Sequence, residues 1–252
     1  MTRTHQKHYR VYVNAVNLSG YERQIGQMGV TYETSPDAAL TDAVKNVILG
    51  QGEVSLASLN GFLDNDTAGK FNLLKAGSNT IDVMIPIGAN AAPVAGDNVF
   101  AWRFEQTSFI AEPGQGGFAA ATVTPGGSAT TAPKTYSKPW GTLLHAYAAR
   151  TAVNSSTGID GTAQTTAGGI FVYQLFSSDG TVTLKTQDAS SNLDGSFGDL
   201  SGATSGSITA AVTPAYGMVA LSTSATVKRY LRWQLAFGTA TTATFALAFI
   251  RG

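Results

Sequence analysis

Large apolar residues recur at every second position through most of this chain, and that period leaves little choice but strands. Ile81, Val83, Ile85 and Ile87 share one face, opposite Asp82 and Met84. Phe100, Trp102 and Phe104 alternate with Ala101, Arg103 and Glu105, and Val182 and Leu184 alternate with Thr181, Thr183 and Lys185. Leu231, Trp233, Leu235 and Phe237 repeat the pattern, and Phe245, Leu247 and Phe249 resume it after Gly238–Thr242, as in a hairpin with a long connection. Further strands are expected over Tyr9–Val16, Gly29–Thr34, Glu53–Leu63, Phe118–Thr124, Thr142–Ala148, Ile170–Phe176 and Gly217–Ser222. So many short strands predict an all-β protein, a β-sandwich or barrel.

One stretch breaks the period. Ser35, Pro36 and Asp37 offer helix-start chemistry, and Ala39, Leu40, Ala43, Val44, Val47 and Ile48 follow at helical spacing. One short helix over residues 37–49, stopped at Gly50, is therefore expected, with a shorter turn over Ala68–Ala76. Two Gly-, Ser-, Thr- and Pro-rich stretches, Pro113–Lys138 and Asn154–Gly169, read as long loops. A boundary in the second divides the chain into residues 1–160, a β-barrel or sandwich with the helix and the 113–138 loop, and residues 161–252. The latter form a smaller β-sandwich or complete the same barrel.

Charged residues make up only 13% of the 252, and small neutral side chains take their place. Such a surface loses little side-chain entropy and hydration on packing, which favours extensive protein contact. Sixteen basic and sixteen acidic residues cancel, so no net field draws the chain to nucleic acid or to an anionic membrane. The balance is uneven along the chain: residues 1–126 hold 8 basic and 11 acidic groups, and beyond Ser201 stand Lys228, Arg229, Arg232 and Arg251 with no acid. Unlike ends of this kind suit head-to-tail contact between identical subunits. The polar, basic stretch Met1–Arg10 offers no apolar segment for a signal peptide, and no run of 18 or more apolar residues occurs for a membrane span.

Catalytic constellations are missing from the pattern. Three histidines (His5, His8 and His145) and no cysteine leave no triad, no thiolate metal site and no disulfide. Asp64, Asp66 and Gly69 imitate the start of a calcium loop, but Ala68 and Lys75 stand where oxygen ligands are needed. Gly114, Gly116 and Gly117 lack the strand and helix that bring phosphate to a helix N-terminus. No enzyme, cofactor or metal is expected. Trp102 and Trp233 fall on apolar faces and should be core, whereas Trp140, between Pro139 and Gly141, is a candidate for an exposed stacking surface.

The segments Val11–Gly20 (VYVNAVNLSG), Asp37–Leu49, and the strand ending in Gly61, Phe62, Leu63 and Asp64 together resemble, in order and spacing, the tail tube proteins of tailed bacteriophages. The outline covers residues 1 to about 112, and Gly168–Phe249 is similar to small β-sandwiches of phage virion proteins. The resemblance implies a virion protein, assembled in the host cytoplasm, whose hexameric rings stack into a tube and contact other virion proteins. DNA would pass through the lumen without specific binding, and the strands Glu53–Asp64 and Asn98–Phe109 are candidates for its wall. A capsid decoration protein is the alternative, and a carbohydrate-binding fibre module a third. Residues expected at assembly contacts are Thr2, Arg3, His5, Lys7 and His8, in an arm over Met1–Tyr9, then Arg103 and Glu105, and Lys228, Arg229 and Arg232.

Overall fold

A computed structural model describes residues 6–20, 22–37, 46–63, 74–75, 80–89, 91–112, 119–136, 138–155 and 157–252. Its strands are β1 (Tyr12–Val13), β2 (Val16–Asn17), β3 (Glu22–Ile25), β4 (Met28–Asp37), β5 (Asn46–Leu56), β6 (Leu59–Phe62), β7 (Thr80–Ile87), β8 (Asn98–Glu112) and β9 (Ala120–Ser128). Then follow β10 (Trp140–Arg150), β11 (Ile159–Asp160), β12 (Gly169–Ser178), β13 (Val182–Ala189), β14 (Gly198–Thr204), β15 (Ala215–Ala220), β16 (Tyr230–Phe237) and β17 (Ala243–Arg251). The fold is predominantly β, as the alternation requires.

Eleven strands form one curled sheet. Its main path runs β15-β12-β17-β10-β8-β7-β1-β2, and a branch leaves β8 through β9 to β6 and β3. A second sheet runs β11-β16-β13-β14, and β4 pairs with β5 as a separate ribbon. Strands β12 and β17 are buried on both faces. Ile170, Val172, Ala246, Ala248 and Ile250 enter the core that also holds Val83, Phe100, Trp102 and Phe104. Phe171, Leu175, Phe245, Leu247 and Phe249 enter a second core against Leu184, Leu231, Trp233 and Leu235 of the smaller sheet. Strands from either side of residue 160 are thus hydrogen-bonded in one sheet, through the β10–β17 and β8–β10 ladders.

Three expectations need correction. Asp37 and Asn46–Leu49 are strand, with Ser35 opposite Ile48 and Pro36 opposite Val47; the remainder of the expected helix, residues 38–45, lies outside the described residues. Extended pairing suits β-branched Val47 and Ile48, and Pro36 is tolerated because a two-stranded ribbon has only edges. The pair Leu231–Phe237 and Phe245–Phe249 is no hairpin. β16 pairs β13 and β11, whereas β17 pairs β10 and β12, so the chain changes sheets over Gly238–Thr242. Within the stretch from Pro113 to Lys138, the strand expected over Phe118–Thr124 is β9 and runs on to Ser128, and within Asn154–Gly169, read as loop, the residues Ile159–Asp160 pair with β16. Of the Ala68–Ala76 turn only Leu74 and Lys75 are described, in a turn, and Asp64 and Asp66 lie outside the described residues.

Polar groups fix the way β1 meets the rest. β1 and β2 are joined by Asn14 and Ala15, both at positive φ (50° and 57°), the geometry of a tight two-residue hairpin. Asn14 Oδ1 accepts the Asp82 N–H at 2.8 Å, and fully buried Gln174 accepts the Ala15 N–H while donating to the Asp82 carbonyl at 3.2 Å. The strained turn is held from outside, by β7 and β12.

His145, on β10, illustrates the cost of burying a titratable group. Its Nδ1–H donates to the Phe245 carbonyl (3.1 Å), and its Nε2 accepts from Arg150 Nε (2.7 Å), which fixes the neutral tautomer. Burial, with the Arg150 charge adding to it, lowers its pKa to about 4. The unfolded chain takes up a proton near pH 6.5 and the folded chain does not until about 4. Stability is therefore unaffected above that range and falls as pH drops through it, by about 2–3 kcal/mol at pH 4.5. Urea unfolding of the native chain and His145→Gln between pH 7 and 4.5 checks this; the variant should lose less over the same interval.

Candidate assembly surface

β8 is long enough to serve two neighbours in succession. Its first half, Asn98–Glu105, pairs with β7, whose register ends at Thr80 opposite Glu105. Beyond that point the same edge of β8 has no partner among the described strands, while its other edge continues along β9 to Glu112 opposite Ala120. β6 then pairs with β9, and β3 with β6. The result is a four-stranded sheet, β3-β6-β9-β8, with both outer edges unpaired among the described residues. An unpaired edge is a row of unsatisfied N–H and C=O groups ready to receive another strand.

The two faces of this sheet differ. Leu59, Ala121 and Val123 are buried in the first core, with Ile25 and Phe109 packed beside them. Outward point Gln24, Asn60, Thr122 and Ile110 in one row, Thr124 and Ser108 in a second, and Phe62, Ala120 and Glu112 in a third. Ser108 donates to Thr124 across the strands at 2.9 Å. Among the described side chains this outward face carries no Lys or Arg, and Glu112 is its one charge.

The β4–β5 ribbon leaves the molecule beside this sheet. Its root buries Val54 and Leu56 in the first core, whereas residues 31–35 and 49–51 are exposed. Tyr32 is 42% exposed and Leu49 64%, so apolar side chains continue outward past the cover the chain itself supplies. A two-stranded ribbon has little stability alone.

Of the residues expected at assembly contacts, Thr2, Arg3 and His5 lie outside the described residues. Lys7 is exposed, but His8 is buried, and Tyr9 bridges to Ile87, so the end of the expected arm is fastened to β7 of its own chain. Arg103 grips buried Asp82 with two nitrogens (2.5 and 2.6 Å), and that carboxylate raises the guanidinium pKa. Glu105 accepts from Thr80 Oγ1 at 3.3 Å. Lys228 lies 3.6 Å from Asp188. Arg229 makes a two-point contact with Asp160, and the guanidinium holds that carboxyl at about 2. Arg232 is buried against Gln187, the Ser155 carbonyl and Asp194. The structure does not bring these charges together.

The wall candidates divide. Asn98–Phe104 is mostly core, while Leu59–Phe62 and Gln106–Phe109 belong to the open sheet, whose β8 runs on past the candidate to Glu112. β3 escaped the sequence reading because Glu22-Arg23-Gln24-Ile25 is too short and polar to show a period. Among the described residues no group of three His, Cys, Asp or Glu side chains could hold a metal, and no helix is long and apolar enough to cross a membrane.

No protein-family model matches the chain, and no curated protein matches it. Among solved structures it is similar to the Dit protein (gp 19.1) of phage SPP1, described as a paradigm of the hub adsorption apparatus in phages infecting Gram-positive hosts. The two are 12% identical over 97% of this chain and 99% of the other, with a TM-score of 0.33. At that distance the functional reading rests on the chain's own geometry.

Proposed function

We propose that this protein is a structural subunit of a phage virion whose copies join edge to edge into rings, and that the rings stack as a tail tube. The observation that carries the reading is the four-stranded sheet whose two outer edges have no partner among the described strands. Because β3 and the distal half of β8 are different edges of one sheet, pairing β3 of one copy with β8 of the next is a head-to-tail contact. Such contacts close into a ring when the rotation permits, and closure removes both free edges of this four-stranded sheet. The outward face then lines the lumen. Among the described side chains, its Gln, Asn, Thr and Ser residues with one carboxylate offer DNA no cation to hold, as a passage for a polyanion requires. The resemblance to tail tube proteins, carried by Val11–Gly20, Asp37–Leu49 and the Gly61–Asp64 strand end, points the same way and suggests six copies, with Asp37–Leu49 being strand at both ends where the outline has a helix. The exposed ribbon β4–β5 suits a contact between stacked rings.

The absence of cysteine supplies a clean test. Gln24 and Ile110 stand at opposite edges of the sheet, three strand spacings of about 4.8 Å apart, which exceeds the reach of a disulfide within one copy. Gln24→Cys combined with Ser108→Cys, Ile110→Cys or Glu112→Cys should therefore give, on oxidation, a ladder of cross-linked oligomers ending at the ring number. Electron microscopy of the native chain over a concentration series should give rings or tubes. A chain that stays monomeric at all concentrations, with no ladder from any pair, overturns the proposal.

A further inference from the structure

A cleft away from the assembly surface has chemistry of its own. It opens where the two sheets meet, beside the start of β10, and encloses about 240 Å3. Trp140 forms one wall and is 43% exposed, unlike Trp102 and Trp233. Its indole does not lie loose: Phe100, its cross-strand partner, meets it edge-on at 5.2 Å and 68°. Beside it on the same two strands lie Thr142 and Asn98, directly paired, and both line the cleft. Leu231 and Gly161 close the far side from the smaller sheet's end of the molecule.

The charge within reach is already committed. Arg251 lines the cleft, but its Nη1 and Nη2 donate to the carbonyls of Val227 (3.1 Å), Lys228 (2.6 Å) and Arg229 (2.9 Å), and Asp188 and Asp160 offset its charge. What remains for a ligand is an aromatic face, one carboxamide and one hydroxyl. An anion would find its cation occupied, and a purely apolar ligand would strand the amide of Asn98. A pyranose ring matches, since its C–H face stacks on an indole while its hydroxyls both donate and accept. The volume lies below the roughly 300–1,000 Å3 of sites for drug-sized ligands, which limits the occupant to about one ring.

We propose that this cleft binds a neutral pyranosyl unit of a saccharide, with Trp140 as the stacking platform and Asn98 and Thr142 as its polar contacts. The proposal does not depend on ring formation. Its test is isothermal titration calorimetry of the full chain with neutral oligosaccharides of glucose, galactose, mannose and N-acetylglucosamine. At least one should bind saturably, and Trp140→Ala should weaken that binding by about tenfold or more. Asn98→Ala, at an exposed position where folding is not in question, should weaken binding of the same sugar, with an unchanged melting temperature. No binding of any of these sugars, or binding untouched by both substitutions, overturns it, and so does binding confined to acidic sugars.

Discussion

Replacing Arg103 by Ala should destabilise the fold by about 3 to 5 kcal/mol, the cost of leaving a buried carboxylate without its partner. Asp82 is 1% exposed, and both its oxygens are held by the Arg103 guanidinium. Its main chain meanwhile anchors Asn14 and Gln174, which in turn hold the β1–β2 turn. Removing the cation thus loosens a contact joining β1, β7, β8 and β12. Arg103→Lys retains a charge but not the planar two-point grip, and should fall between the native chain and Arg103→Ala. Replacing both partners, Asp82→Leu with Arg103→Met, should cost less than Arg103→Ala alone, because no uncompensated charge remains. Urea midpoints of the three variants check the order. An Arg103→Ala midpoint equal to the native one would show that the pair is solvated and contributes little.

Trp233→Ala should be comparably costly, about 3 to 5 kcal/mol, as expected for truncating a buried tryptophan. The indole is 6% exposed and meets the rings of His145 at 5.0 Å and Phe245 at 5.6 Å, both edge-on, with the Arg150 guanidinium 5.9 Å above it. It therefore joins the smaller sheet to β10 and β17 of the larger one. The substitution has a second readout, since water admitted beside His145 should raise that imidazole's pKa from about 4 toward its ordinary value. Unfolding midpoints report the stability, and proton NMR of the imidazole across pH 4–7 reports the titration. Unchanged values in both would mean that Trp233 is not part of the second core.

The residues themselves determined that this protein is β and that Trp102 and Trp233 lie inside, but not that Asp82, Met84 and Arg232, on the faces opposite the apolar ones, are buried as well. Side-chain alternation is a local property of a pleated strand, so Ile81–Ile87 or Leu231–Phe237 can be read without knowing their neighbours. Buried Trp102 and Trp233 follow from the same rule, whereas the exposure of Trp140 goes with its flanking Pro139 and Gly141. Pairing is not local. Whether β17 joins β16 or crosses to β10 and β12 depends on residues about 100 positions away, and both routes satisfy the same pattern in Phe245–Phe249. The helical spacing in Ala39–Ile48 was likewise outvoted at its C-terminal end, where Val47 and Ile48 found a strand opposite them. The assembly surface was legible only in part. β6 and the part of β8 up to Phe109 lie within segments singled out for the lumen wall, but the unpaired edge of β8 among the described strands arises because its register with β7 ends at Thr80 while its register with β9 runs on to Glu112. That mismatch in length between paired strands is written in no single segment, and only the tertiary structure decides it.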